Sequence, residues 1–212
     1  EVILLKTIVD YLPVNAEIGV GLALLNEHDE YLFFLPGTRH ATSINETFYA
    51  GIGGHLEANE DLFACGRREA MEEIGVPIHY EDSYTETVYI SANKTITPIA
   101  IDEKIKPVGL YEMIHPAGSP KAGRIYHLVI FQARVLSPLE RFRLKLDEVS
   151  GIITLTKEQV KRGIKRKATL RELIEEGAKI FGPGEWMDKL EWKLYPIGTA
   201  EALAYIWNAA DR

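Results

Sequence analysis

Three glutamates, Glu69, Glu72 and Glu73, stand three and four residues apart in a segment that reads as helix. An α-helix turns about 100° per residue, so the three carboxylates share roughly one 100° arc of its surface. Like charges at this spacing repel and cost a helix a few tenths of a kcal/mol per pair. Hard divalent cations offset such repulsion, because Mg²⁺ and Mn²⁺ prefer carboxylate oxygens. Glu57 lies just upstream in a glycine-containing loop and is placed to add an oxygen from the side. Arg68 adjoins the arc and has the fork geometry to pair with a carboxylate such as Glu60, fixing the loop against the helix. A Glu-Glu pair alone is ordinarily a solvated face; the wider set is what points to a cation site.

The helix that carries these acids has signals at both ends. Asp61 is an N-cap residue, 62–74 form the body, and Gly75 suits the left-handed C′ position. Phe63, Ala70, Met71 and Ile74 fall on another side and form an apolar stripe for a sheet. Gly66 sits in the interior, where glycine costs about 1 kcal/mol relative to alanine. Upstream, 17–34 read as two strands about a turn at 26–29, 35–47 as a loop, and 47–52 as a strand leading into Gly53-Gly54. Downstream strands are expected at 85–91, 106–113, 125–134 and 152–155. Thr156–Gln159 and Thr169–Glu172 match the capping box, so two helices start there. Gly182-Pro183-Gly184 should stop the second, and a last helix starts near 199 with Leu203, Ile206 and Trp207 on one side. The layout is an α/β core over 1–155, then a helical extension over 156–212 packed on the same domain.

Gly54, Glu60, Arg68, Glu69, Ala70, Glu72, Glu73, Gly75 and Val76, with their spacing, resemble the Nudix box, G-x5-E-x7-R-E-U-x-E-E-x-G-U. Average residue usage makes a chance match of the seven fixed letters roughly one in 10⁹ per start position. Ala70 stands where a larger aliphatic is usual, and Asn59 where a glycine often precedes the first glutamate; neither departure removes a charged group. The strand order across about 15–155 also looks like that fold. The resemblance implies an α/β/α sandwich with a mixed sheet, and a MutT-like hydrolase with Mg²⁺ or Mn²⁺ as cofactor. Its substrate would be a nucleoside diphosphate linked to another moiety, or a related organic pyrophosphate. Glu72 and Glu73 would be the principal metal ligands, and Glu69 a ligand, a base for the attacking water, or both. Gly53 would offer its carbonyl, Glu57 would ligate an additional ion, and Arg68 and Glu60 would orient the others. Glu112, Asp147 and Glu148 are candidates for a base outside the box. Two other readings stay open: a ligand-sensing module without catalysis, and isopentenyl diphosphate isomerase, whose cysteine and histidines Cys65 does not supply.

Arg39, His40 and His55 flank the expected site, and Lys121 and Arg124 lie on a loop near a strand end; their side chains suit terminal phosphates. Phe48 and Tyr49 either stack on a base or pack in the core. His127 reads as a satisfied core histidine and Cys65 as a small buried thiol. Lys157, Lys161, Arg162, Lys165, Arg166 and Lys167 lack interleaved aromatics and read as a solvated face. The 212 residues are 46% hydrophobic and 26% charged, which suits a globular chain. A single cysteine excludes an internal disulfide, and residues 1–12 lack a small-residue cleavage site, so a cytoplasmic setting is expected. No run of 18 apolar residues marks a membrane span. A net charge of −7 argues against a general nucleic-acid binder and leaves a small-molecule partner, with the tail available for a homodimer.

Overall fold

Alternation of apolar with small or polar residues makes the central strand β1 (Glu17–Leu25), followed by β2 (Tyr31–Pro36), β3 (Glu46–Tyr49), β4 (Gly53–His55) and the acidic helix α1 (Leu62–Glu73). There follow β5 (Ile78–Tyr80), β6 (Val88–Ile90), β7 (Ile96–Pro98), β8 (Gly109–Ile114), β9 (Ile125–Val135) and β10 (Val149–Leu155). The C-terminal part holds α2 (Lys157–Gly163), β11 (Ala168–Thr169), α3 (Leu170–Glu175), β12 (Ile180–Phe181), β13 (Lys193–Pro196) and α4 (Thr199–Ala210). The structure is a computed structural model and describes residues 6–40, 43–83, 86–115 and 121–211.

The main sheet is mixed, in the order β12-β10-β2-β1-β9-β8-β6-β7. β1 runs parallel to β9, from Glu17 opposite Tyr126 to Leu25 opposite Arg134. Its other edge is shared: β2 pairs near Leu24, and β4 pairs antiparallel with Gly19, Val20 and Gly21. The sheet separates two cores. On one face Val20, Leu22, Leu24, Val129 and Phe131 pack with Cys65 and Ala70 of α1 and with Ile74 just past its end. On the other, Ala23, Leu128 and Ile130 pack with Leu203, Ile206 and Trp207 of α4. The result is an α/β/α sandwich. No helix among the described residues is long and apolar enough to cross a membrane.

Several local expectations change. Met71 is 52% exposed and leaves the apolar stripe, whereas Ala70 and Ile74 are buried and Phe63 partly so. Residues 70 and 74 share a line on the helix, and 71 lies about 100° around it. The strand expected at 47–52 is β3, which ends at Tyr49; Ala50 makes a single bridge to Phe34, and Gly53-Gly54, expected only to follow the strand, open a strand of their own, β4. The strand expected at 85–91 is Val88–Ile90, and Thr85 lies outside the described residues. The helix begun at Thr169 ends at Glu175, not at Gly182. Gly177, at φ +103°, turns the chain out, and the Ala178 N–H closes back on the Leu173 carbonyl at 2.9 Å. The C-terminal stretch also contributes strands: β12 joins the main sheet beside β10, and β13 lies between β11 and β3 in a second, three-stranded sheet. These strands are too short for alternation to reveal them.

Candidate active site

The helix that carries the acids is held at both ends by local chemistry. Asp61 Oδ1 accepts the Ala64 N–H at 2.7 Å, and Gly75, at φ +70°, donates its N–H to the Ala70 carbonyl at 3.1 Å. The glycine strand β4 lies against the helix and needs its glycines. A Cβ at Gly54 would stand 2.2 Å from Glu69 Oε1. Gly53, at φ +146°, points its N–H at Glu73 Oε2, 3.4 Å away.

Burial of the three helix acids is graded. Glu73 is 7% exposed, the Glu69 side chain 12% and the Glu72 side chain 49%. Arg68 stands among them. Its Nε meets Glu60 Oε1 at 2.9 Å and one terminal nitrogen meets Glu60 Oε2 at 3.1 Å, a bidentate clamp between loop and helix. The other terminal nitrogen lies 2.8 Å from Glu69, 3.5 Å from Glu72 and 3.9 Å from Glu57. The His55 carbonyl accepts from Arg68 at 3.0 Å. Among the described residues, no three His, Cys, Asp or Glu side chains are already drawn into ligating geometry.

Electrostatics follow from this burial. Desolvation pushes the Glu73 carboxyl up to about 8, with neighbouring Glu69 and Glu148 adding to the rise and the Gly53 N–H opposing it. Burial also raises Glu69, against the opposing pull of Arg68. The Arg68 hydrogen bonds hold Glu60 below the usual carboxylate range. Two desolvated acids side by side, which offer an ion oxygen ligands only, fit a hard divalent cation.

The remaining candidates separate. Glu148 lies near enough to Glu69 and Glu73 to raise both, and is itself paired with Arg39 and, at 3.2 Å, with Lys145. Asp147 meets Arg39 at 2.9 Å. Glu112 is engaged elsewhere, by Tyr89, by the Ala92 N–H at 2.8 Å and by His127 at 3.7 Å. The opposite nitrogen of His127 is buried without a hydrogen-bond partner among the described residues, so that histidine is core but only half satisfied. Phe48 is buried between Phe34, His40 and Tyr195, a packing role. Cys65 is buried, with its thiol pushed up to about 12. The basic tail residues pair with acids, Lys161 with Glu158, Arg162 with Glu176 and Arg166 with Glu172. His55 reaches Glu17 at 2.6 Å. Glu17, His115 and Tyr126 carried no signal in the sequence, because the β1–β9, β8–β9 and β1–β4 pairings together assemble them beside His55.

No family model matches the chain. It is 26% identical over 151 residues to the human m7GpppN-mRNA hydrolase NUDT17, an alignment that takes in 68% of this chain and 40% of that protein. Among solved structures, it aligns with the MutT protein of Methanosarcina mazei at a TM-score of 0.47 and 15% identity, covering 83% of this chain and 91% of that one. A NUDIX hydrolase from Nitrosomonas europaea aligns at 0.45 and 16% identity, over 93% and 92% of the two chains.

Proposed function

We infer that this chain, which belongs to the Nudix (MutT-like) family, is a divalent-metal-dependent hydrolase that cuts the P–O–P bond of a nucleoside diphosphate linked to another moiety, or of a related organic pyrophosphate. One observation carries the reading: the largely buried Glu73–Glu69 pair, closed in by Gly53 and Gly54, with Arg68 and Lys145 as its cationic neighbours among the described residues. Glu69, Glu72 and Glu73, with Glu57 and the Gly53 carbonyl beside them, are the residues that would hold Mg²⁺ or Mn²⁺. Such an ion, when bound, neutralises the diphosphate and lowers the pKa of water. The chain's own groups do the rest. Arg68 locks the loop through Glu60 and sets the rotamer of Glu69. Glu69, raised by burial, is a better proton acceptor at neutral pH than an ordinary glutamate. Glu148 is the acid outside the box best placed to share that task. Water oxygen bonds to phosphorus, its proton passes to one of these carboxylates, and the bridging oxygen leaves with the electron pair.

The test is formation of the two phosphorylated products, one of them a nucleoside phosphate, from nucleotide sugars, ADP-ribose, dinucleoside polyphosphates and oxidised dNTPs, with and without Mg²⁺. Glu73→Gln should lower turnover by about two orders of magnitude or more while the fold persists. Full activity in that variant would overturn the assignment. Binding without turnover of any substrate would favour a sensing module.

A further inference from the structure

Beside the acid site, three nitrogen donors converge on one oxygen. Lys121 Nζ stands 2.5 Å, His55 Nε2 2.6 Å and His115 Nε2 3.4 Å from Glu17 Oε1. Both imidazoles lie against the ring of Tyr126, with centroids at 4.7 and 5.7 Å. The phenol is admitted by a glycine: a Cβ at Gly19 would stand 1.5 Å from the Tyr126 hydroxyl. One lysine suffices to neutralise one carboxylate, yet two further basic groups face the same atom. His115 Nε2 is buried and makes no hydrogen bond among the described residues. The cluster is tied to the acid site through His55, whose carbonyl Arg68 holds. His55 is two residues from Gly53, roughly 6–7 Å along the strand. Burial pushes the Tyr126 hydroxyl up, and it is near enough to Glu69 and Glu17 for both carboxylates to add to the rise.

We propose that this cluster is a phosphate subsite in which the Glu17 carboxylate is a resident stand-in, and that it selects substrates with a further phosphate beyond the anhydride cut at the glutamates. This rests on the pyrophosphohydrolase reading. Glu17 offers one oxygen to three donors, whereas a phosphate offers three, each accepting a charge-assisted hydrogen bond. The incoming phosphate displaces the Glu17 side chain, and Lys121, His55 and His115 transfer to the ligand. A substrate ending in a neutral sugar gains nothing there.

The experiment uses the full chain in divalent-free buffer at pH 7, with inorganic tripolyphosphate and pyrophosphate as probes and the imidazole resonances of His55 and His115 as the readout. Wild type should prefer tripolyphosphate. Glu17→Gln should bind it about tenfold tighter and Lys121→Ala about tenfold weaker, each change reflecting one charged contact. A purely structural ion-pair cluster would weaken in both variants, and that result, or an unchanged Lys121→Ala, overturns the proposal. His115→Asn, expected to weaken binding, replaces Lys121→Ala if that protein fails to melt cooperatively. Mg²⁺-dependent cleavage is assayed on the same preparations. Cleavage without this order of affinities overturns the subsite alone, and this order without cleavage overturns the hydrolase and leaves a phosphate-binding site.

Discussion

Glu73 is a carboxylate that the fold desolvates and then sets beside a second acid, an arrangement unfavourable to the isolated protein. A bound dication would relieve it, so Mg²⁺ should stabilise the native state. At a hundredfold excess over Kd the gain is about 2.7 kcal/mol, or a rise in Tm of about 5–10 °C. In Glu73→Gln most of that rise should vanish; an undiminished shift in calorimetry would mean that the cation binds elsewhere. Glu17 is the opposite case. Lys121, then His55, hold its carboxyl down to about 2, against an ordinary value of 4.5. A depressed acid stabilises the fold above its unfolded pKa, and the contribution disappears as pH falls from about 4.5 to about 2. Wild type should therefore outlast Glu17→Gln at pH 7 by on the order of 1 kcal/mol after solvent screening, about 2–4 °C in Tm. The two melting curves should converge near pH 2; a gap that persisted there would disprove the electrostatic origin.

At the scale of elements, the register between α1 and the sheet depends on a glycine that helix propensity disfavours. A Cβ at Gly66 would stand 2.1 Å from the Tyr80 hydroxyl and 3.1 Å from a Leu22 methyl. The Tyr80 hydroxyl in turn donates to the Phe63 carbonyl at 3.0 Å. The propensity lost at Gly66 is thus offset by close approach of the helix to β1. Gly66→Ala gains about 1 kcal/mol of helix propensity and loses about 2–3 to overpacking, a net loss of about 1–2 kcal/mol. Tyr80→Phe should cost less in the Gly66→Ala background than in wild type, because it removes the clashing atom. Denaturant melts of the four proteins check this, and a Gly66→Ala protein as stable as wild type would refute the packing account.

Across the whole molecule, the C-terminal stretch is part of the sandwich rather than an appendage to it. Trp207 is 7% exposed and lies 4.7 Å from the ring of Tyr31 on β2. Thr199, at the start of α4, meets Gly21 and Gly51, whose missing side chains let the helix sit close to β1. Trp207→Ala should cost about 3–5 kcal/mol and lower Tm by about 6–20 °C. If α4 were dispensable, truncation at residue 198 would leave a cooperative melt; we expect it to abolish one.

That Glu69, Glu72 and Glu73 share a helix face was legible from spacing alone, because 3.6 residues per turn dictates it wherever the helix sits, and the rest of the box was legible as a resemblance. The caps at Asp61, Thr156 and Thr169 were legible for the same reason: each satisfies its own backbone within four residues. The long strands showed themselves by alternation, whereas two- and three-residue strands such as β11 and β12 owe their existence to partners far along the chain. Spacing put Glu69, Glu72 and Glu73 on one arc, and the resemblance ranked Glu72 with Glu73 as the principal ligands; tertiary packing made Glu73 the buried one and left Glu72 half in water. Nor did spacing bring Glu17, His115 and Lys121 to His55. The parallel β1–β9 pairing, across more than a hundred residues, set Glu17 beside the β8–β9 pair from which His115 and Lys121 extend, and β4 on β1 added His55, since burial and long-range contact belong to the fold as a whole.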